Sequence, residues 1–554
     1  MNTRTKHVIR YYLLPFLLFL FLGAVFFGKA LVRLNTHIPA GMPGTDDAFN
    51  QLWTYWWFQK ALVLGKKPLK CDWVYPPQGL DLFYHTHVFL PTMLTLPLGR
   101  ALGAASGYNL TLVLMLAGAA WVFYVFARRG LELSAGWALL LGGEFGYCGY
   151  FVFKAHCHPN LIGAVFWASA LGILFDSYAR RRFGLRRGLL LAVCVWATFW
   201  TSLVEAYMLG IVGGALILAW FVADREFLTG TALRKQLRFF APTLAGGISL
   251  LYPLLAQCRA DLHSDPLPVE LHLSDVLRPH AMGLLSALRG ECNTEFSGSS
   301  VPVTIVLAAA AGFWLSRKRP AVRVIAAMAV IALCLALNPF GLPLALIHRM
   351  PLGSGFRVSG RFFPFFLFWA FALAAVGIRE TGRRLPRQTA RAVLAAFALA
   401  SAIESFPVGA HPAPIHRPDI DREMVAGLDR RQRLLLLWRT RRQLNDTYQV
   451  FFDMPSLHLS YLARGMEQME RWGATYRVLS LINSPHRADL LEKLRPADLG
   501  REMKQLRVGY IFIEEPDLLG QLPIAYEVLA RCEHGVLIRY LGTGKEAHQR
   551  DKQR

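Results

Sequence analysis

The 554-residue chain is poor in charge and poorer still in acid: charged residues make up 18% of it, and 37 Asp and Glu stand against 60 Lys and Arg. A soluble protein of this length would split into several domains with far more charged surface, so that class is excluded. The nucleotide-binding glycine patterns GxGxxG and GxxxxGK[ST] are absent, which removes the usual sequence evidence for a dinucleotide-binding or P-loop enzyme. No internal repeat and no low-complexity tract is present, which argues against a solenoid and against a disordered linker. The eight cysteines (Cys71, Cys148, Cys157, Cys194, Cys258, Cys292, Cys334, Cys532) contain no CxxC pair. They mostly sit in or beside apolar segments, where a thiol behaves as a small hydrophobe, and they leave the redox compartment open.

What is abundant is apolar: 54% of residues are hydrophobic, 12% are aromatic, and the mean hydropathy is +0.33. The composition is that of a membrane protein. A net charge of +23 invites a nucleic-acid reading, but the Lys and Arg residues fall in short clusters between apolar runs. That is how a polytopic protein marks its cytoplasmic loops, so the charge reports topology and no nucleic-acid partner is expected.

The apolar run from Tyr11 to about Leu31 follows Arg4, Lys6 and Arg10. It exceeds the roughly 7 to 15 residues of a signal-peptide core and suits a span of about 20, which predicts an uncleaved first crossing with a cytoplasmic N-terminus. The basic clusters at 128–129, 180–187, 225–238, 317–323 and 379–391 can then all be cytoplasmic if two spans separate each from the next. Spans near 11–33, 108–127, 134–152, 160–177, 188–204, 206–223, 237–256, 301–316, 321–338, 361–378 and 389–406 meet that condition, about eleven transmembrane helices in all. Residues 88–105 are apolar enough to span but contain Pro91, Pro97 and Arg100. Counting them alone would reverse the sidedness of Arg128 and Arg129, so a re-entrant or interfacial helix is expected there, or a crossing partnered by a further one.

This threading makes 1–406 a membrane domain with outer loops at 34–87 and 257–300, and 407–554 an extracytoplasmic tail. The runs YRVLSLI (Tyr476–Ile482), VGYIFIEE (Val508–Glu515) and GVLIRYL (Gly535–Leu541) predict strands, so the tail reads as a small C-terminal α/β domain. RRQRLLLLWRTRRQL (Arg430–Leu444) reads as a basic amphipathic helix able to lie on anionic lipid, or as a helix packed on that domain.

Titratable groups gather on the outer face: Asp46, Asp47, Asp72, Asp81, His85, His87, His156, His158, Glu205, Arg357 and Arg361. The acidic pair lies in GTDDAFNQLWTYWW (Gly44–Trp57), between a Gly- and Pro-rich turn and Trp53, Trp56 and Trp57, rings suited to the membrane interface. Neighbouring carboxylates beside apolar rings resist joint ionisation, which tunes one of them toward a general base. Capping of a helix from Ala48 to Leu64 is the structural alternative. Arg357 and Arg361, at i and i+4, would put two guanidiniums on one helical face, fit for a phosphate or for ordinary snorkelling. Lys154 is a third phosphate candidate. His85 with His87 and His156 with His158 form two His-x-His pairs that, in extended backbone, could join the carboxylates as a divalent-cation site; hydrogen bonding to acceptor or phosphate is the other reading. Glu205 lies at a span end or break, where an ionisable group faces a cavity or a partner. Asp81 either binds sugar hydroxyls or closes the turn after Pro76 and Pro77.

The order of features resembles a known group. A first span, an outer acidic motif, WTYWWFQKALVLGKKPLKCDWVYPPQGLDL, then LPLGRALGAASGYNLTLVLMLAG, KAHCHPNLIGAVFWASALGILF and GFRVSGRFFPFFLFWAFAL is similar to the GT-C superfamily of integral-membrane glycosyltransferases. The likeness is strongest to bacterial members related to protein mannosyltransferases and lipid A aminoarabinose transferases, and it covers roughly the first 380 residues. It implies inverting transfer of a sugar from a polyprenyl-phosphate donor to a glycan, lipid or protein acceptor of the cell envelope, at the outer face of the inner (plasma) membrane. It further implies that Asp46 or Asp47 deprotonates or positions the acceptor. Where the group shows D-x-D or D-E this chain shows DD, so which carboxylate is the base stays open. A transporter or flippase for lipid-linked saccharides, or a non-catalytic scaffold of the same fold, are the alternatives; binding groups near the midplane and repeated halves would mark the transporter.

Overall fold

The computed structural model describes residues 8–39, 46–74, 79–82, 88–259, 301–350, 358–405, 412–414, 428–429, 433–437, 456–457, 496–513, 525–532 and 535–542, with isolated positions besides. The chain is mostly helical. After a π-helical turn at Ile9–Leu13 come α1 (Leu14–Phe26), α2 (Gly28–Val32), α3 (Asp46–Val63), α4 (Phe89–Leu102) and α5 (Ala104–Arg129). Next are α6 (Ala135–Gly146), α7 (Gly149–Cys157), α8 (Ala164–Ala179), α9 (Leu185–Thr201), α10 (Leu203–Ala223) and α11 (Gly230–Arg259). The bundle closes with α12 (Val303–Ser316), α13 (Pro320–Leu337), α14 (Leu342–His348), α15 (Phe363–Arg384) and α16 (Arg387–Ser405).

Among the described residues, six helices are long and apolar enough to cross a membrane: Ile9–Phe26, Ala104–Arg129, Pro159–Ala179, Leu203–Ala223, Pro320–Leu337 and Ser359–Arg384. The remaining expected spans coincide with helices that are shorter, more polar or interrupted, as at Tyr147 between α6 and α7. Among the described residues, length and hydropathy thus mark six of the eleven expected spans, and the other five rest on charge parity. Within residues 88–105, Phe89–Leu102 form α4, 14 residues long, or about 21 Å, too short for a hydrocarbon core of about 30 Å. It ends at Gly103, whose φ of +93° and ψ of 155° are open essentially to glycine alone, and this sharp turn starts α5 on a new axis.

The basic clusters gather at one end of the bundle and are knit together there. Arg180 donates to the Arg129 carbonyl, Arg181 bridges to Asp224 at 2.6 Å, and Arg379 donates to the Leu131 carbonyl at 2.7 Å. Arg319, Arg379 and Arg383 all reach the buried Glu380. Inside, the core is aromatic: Phe123, Phe126, Phe145, Trp167 and Phe368 pack in edge and stacked pairs. Helices α12 and α15 cross so closely that a Cβ at Gly312 would strike the Leu373 carbonyl and one at Gly377 the Ala308 carbonyl. Small residues at a crossing are how membrane helices gain packing when no hydrophobic drive separates them from lipid.

A second core lies beyond the opposite end. It joins Trp53, Trp57, Phe58 and Ala61 of α3, and Cys71, Trp73 and Val74 after it, to Leu499 and Met503 of α17 (Pro496–Gln505) and to Ile511, Ile513, Val536 and Ile538 of a C-terminal sheet. That sheet has the order β6 (Ser456–Leu457), β5 (Arg433–Leu437), β7 (Val508–Ile513), β9 (Gly535–Gly542), β8 (Ala525–Cys532). β5 runs parallel to β6 and β7, while β9 is antiparallel to β7 and β8. β7 and β9 fall on two of the expected strands; residues 476–482 lie outside the described residues. Two short pairings, β1 (His37–Pro39) with β4 (Pro412–Pro414) and β2 (Lys70–Cys71) with β3 (Leu80–Asp81), tie down the first loop.

Two expectations are corrected here. Arg433–Leu437 is not part of an amphipathic helix on lipid: its unbroken RLLLL run is an interior parallel strand, the place where continuous hydrophobicity belongs in a sheet. Trp53, Trp56 and Trp57 are not interfacial anchors. Trp53 and Trp57 are fully buried and stacked nearly parallel at 6.4 Å, with the Trp57 Nε1 donating to the Pro68 carbonyl at 2.9 Å. Burial also pushes the Cys71 thiol well up, leaving it an inert small hydrophobe.

Candidate functional site at one end of the bundle

Asp46 and Asp47 are the first two residues of α3, inside its first turn rather than at the capping position before it. There the exposed N–H groups and the helix dipole favour negative charge; the described side chains of this helix begin at Ala48. α3 packs on α7 and on the 3₁₀ turn Pro159–Leu161, so the segment that opens with the acidic pair runs beside the one bearing Lys154, His156 and His158.

Lys154 is almost fully buried, its Nζ 5.8 Å and 5.6 Å from the centres of the Tyr150 and Phe153 rings. Tyr150 in turn packs on Phe363, two residues beyond Arg361. The buried His156 ring stacks on Phe27 at 6.0 Å, and its Nδ1 lies 2.6 Å from the Val152 carbonyl, the geometry of a donated N–H. His158 is half-buried just after the helix, its backbone N–H on the Lys154 carbonyl at 2.7 Å. The 156–158 pair is therefore not extended as a shared metal site would need: His156 is helical and turned into the core. Among the described residues no group of three or more His, Cys, Asp or Glu is placed to hold a metal ion. His85 and His87 lie outside the described residues. Asp81 is exposed at the start of the segment leading to them, in β3.

Arg361 is half-buried in the 3₁₀ turn Ser359–Phe362 that leads into α15. Val358 before it is extended, with φ −130° and ψ 106°, so Arg357 and Arg361 do not occupy successive turns of one helix as their spacing suggested. Arg357 lies outside the described residues.

Glu205 is the best-defined polar group of this end. α9 stops at Thr201, and Ser202 caps α10 by accepting the Glu205 N–H at 3.3 Å. Ser202-Leu203-Val204-Glu205 is the sequence form of a capping box, in which the Glu side chain folds back on the cap residue. Here it does not. The Ser202 N–H is taken by the Thr198 carbonyl, and the 1%-exposed Glu205 carboxyl accepts instead from the Gly163 N–H at 3.1 Å and the Trp167 Nε1–H at 3.2 Å, both on Oε1. Its Oε2 is buried with no partner among the described residues. Gly163 is required by this approach, since a Cβ there would collide with Oε2. Trp167 stacks on Phe365 at 4.3 Å, Phe362 packs on Phe356, and Phe356 meets Tyr207. One aromatic chain thus links Glu205 to the turn holding Arg361. Gly163, Trp167, Ser202 and Tyr150 escaped the sequence reading; only the Ser-x-x-Glu spacing carried a signal.

No family model matches the chain, and no curated protein matches it. Solved structures do. The arabinofuranosyltransferase AftD from Mycobacteria superimposes with a TM-score of 0.52 at 15% identity, covering 97% of this chain and 40% of that one. The oligosaccharyltransferase of Archaeoglobus fulgidus gives 0.48 at 12% identity over 90% and 69% of the two chains. ArnT from Cupriavidus metallidurans, bound to undecaprenyl phosphate, gives 0.44 at 13% over 94% and 97%. This chain has a GT-C-like fold, and it spans well under half the length of the arabinofuranosyltransferase it resembles.

Proposed function

We propose that the chain is a membrane glycosyltransferase that moves a sugar from a polyprenyl-phosphate donor to a cell-envelope acceptor at the end of the bundle opposite the basic clusters. The observation that carries this reading is the meeting, at that end, of the helix opened by Asp46 and Asp47 with the segment bearing Lys154, His156 and His158, beside a buried Glu205. The GT-C-like fold supports it. In the proposed step the acceptor attacks the anomeric carbon with inversion, its proton passes to Asp46 or Asp47, and the sugar–phosphate C–O bond breaks to release polyprenyl phosphate. Lys154, Arg357 and Arg361 are proposed to offset the leaving phosphate, and Asp81, His85, His87, His156, His158 and Glu205 to hold sugar and acceptor. A divalent cation, if used, would draw on His85, His87 and the acidic pair.

We place this end outside because the basic end then faces the cytoplasm. The second core, shared by the first loop and the C-terminal sheet, requires both to lie on one side, as an extracytoplasmic domain over 407–554 would. The transporter alternative draws on Glu144 in α6, which is buried beside Ser401 with neither carboxyl oxygen in hydrogen-bond geometry among the described residues. The deciding experiment compares wild-type, Asp46→Asn and Asp47→Asn cells at matched membrane abundance, profiling envelope glycans and lipid-linked sugars by mass spectrometry. Loss of one glycan modification with build-up of a polyprenyl-phosphate sugar upholds the transferase. Two silent substitutions beside a deletion that has an effect sink it.

A further inference from the structure

The basic end of the bundle contains a cleft that the proposed reaction does not use. A cavity of about 460 Å³ lies between α5, α8 and α9, within the size range of small-molecule sites, about 300–1,000 Å³. Its walls are apolar, among them Phe126, Ile173 and Leu190, and the absence of a side chain at Gly172 keeps it open: a Cβ there would stand 3.3 Å from the Phe126 ring. Leu190 in its wall is half exposed, as are Leu189 and Val193 on the same helix, so the cleft borders an apolar outer face suited to lipid. Arg129, Asp176 and Arg187 line its polar end.

The charges at that end are unequal. Asp176 is shared between two guanidiniums, its Oδ1 on Arg180 Nε and its Oδ2 on Arg187 Nη1, each at 2.7 Å. Glu132, on the rim, faces Arg180 at 3.7 Å and Arg379 at 3.8 Å. Arg129 lies over the Tyr12 ring at 4.8 Å and, among the described residues, forms no ion pair. Trp121 in the cleft wall holds the same stretch by donating to the Tyr12 carbonyl at 2.9 Å. An apolar trough beside an exposed apolar helix face therefore ends in surplus positive charge where helices stop.

We propose that this cleft binds an anionic phospholipid of the adjacent leaflet, with an acyl chain along Phe126, Gly172 and Ile173 and the phosphate at Arg129 and Arg187. The hydrocarbon of a bilayer fills a lateral trough, and the cationic rim selects a lipid of negative net charge over a zwitterionic one. The inference stands on a site at the end opposite the proposed transferase centre and does not depend on that reading.

The test titrates the purified full chain with phosphatidylglycerol and with phosphatidylethanolamine of the same acyl chains and counts retained lipid by native mass spectrometry. Wild type is expected to retain phosphatidylglycerol about fivefold more strongly, the weight of one cation near a headgroup. Arg129→Gln should remove that preference, Arg323→Gln, an exposed cation in α13, should leave it intact, and Cys194→Trp should fill the cleft and expel both lipids. Equal retention of the two lipids by wild type, an unchanged preference in Arg129→Gln, or an equal loss in Arg323→Gln would overturn the proposal. If Cys194→Trp does not fold, the two arginine variants still decide it.

Discussion

Removing the Glu205 carboxyl is the perturbation whose cost the structure defines most closely. Glu205→Ala strands the Gly163 N–H and the Trp167 Nε1–H in a buried site, and each unsatisfied donor costs about 1–3 kcal/mol, so about 2–6 kcal/mol is at stake. The loss spreads, because Trp167 stacks on Phe365 and helps set the spacing of α8 and α15. Glu205→Gln behaves differently. Its amide oxygen can accept both bonds, so stability should stay within about 1 kcal/mol of wild type, while any role for the negative charge in holding substrate is lost. Thermal unfolding in detergent, followed by tryptophan fluorescence, should show a marked drop for Glu205→Ala and little change for Glu205→Gln, and glycan profiling of the Gln variant then reads function alone. If Glu205→Ala unfolds together with wild type, the carboxyl is not the anchor described and its burial has another cause.

Other outcomes follow from the packing. Gly377→Val drives a branched side chain into the Ala308 carbonyl at the α12–α15 crossing, and should lower stability by about 1–3 kcal/mol or more; membrane abundance measured beside Ala374→Val, on the same helix, separates the crossing from the general cost of an added side chain. Trp57→Ala empties the centre of the second core and should cost about 3–5 kcal/mol. Limited proteolysis should then cut near the first loop and in the C-terminal sheet together, because both lose the same support; cutting in only one of them would show that they do not share a core.

The helices were legible because apolar runs and basic clusters alternate with a regularity that only membrane insertion explains, and the gathering of Arg129, Arg180 and Arg379 at one end answers to that pattern. β7 and β9 announced themselves as short apolar runs with β-branched content, and all six residues of β7 are buried. Residues 433–437 did not: with Arg on both sides, four leucines suit the face of a basic helix as well as an interior strand, and only the partner strand, some 75 residues away, decides. The tryptophans after the acidic pair misled for a related reason. An interfacial ring and a core ring have the same composition, and what buries Trp53 is a helix and sheet from the other end of the chain. At the candidate site, spacing placed Lys154, His156 and Glu205 in one region, whereas the diversion of the Glu205 carboxyl onto Gly163 and Trp167 depends on how α8 and α10 meet. No local pattern records that.

The shared core of the first loop and the C-terminal sheet also sets a timetable. Trp53 leaves the ribosome about 450 residues before Leu499, its partner in that core, and at about 5–20 residues per second the wait lasts roughly 20–90 s. During this interval Trp56 and Trp57 have Trp73 to pack on, but the face of the cluster that Leu499 and the sheet later cover stands open. Biogenesis of this protein should therefore lean on holding factors on whichever side receives the first loop, and a chain stalled before the last strands should be recognised and degraded there.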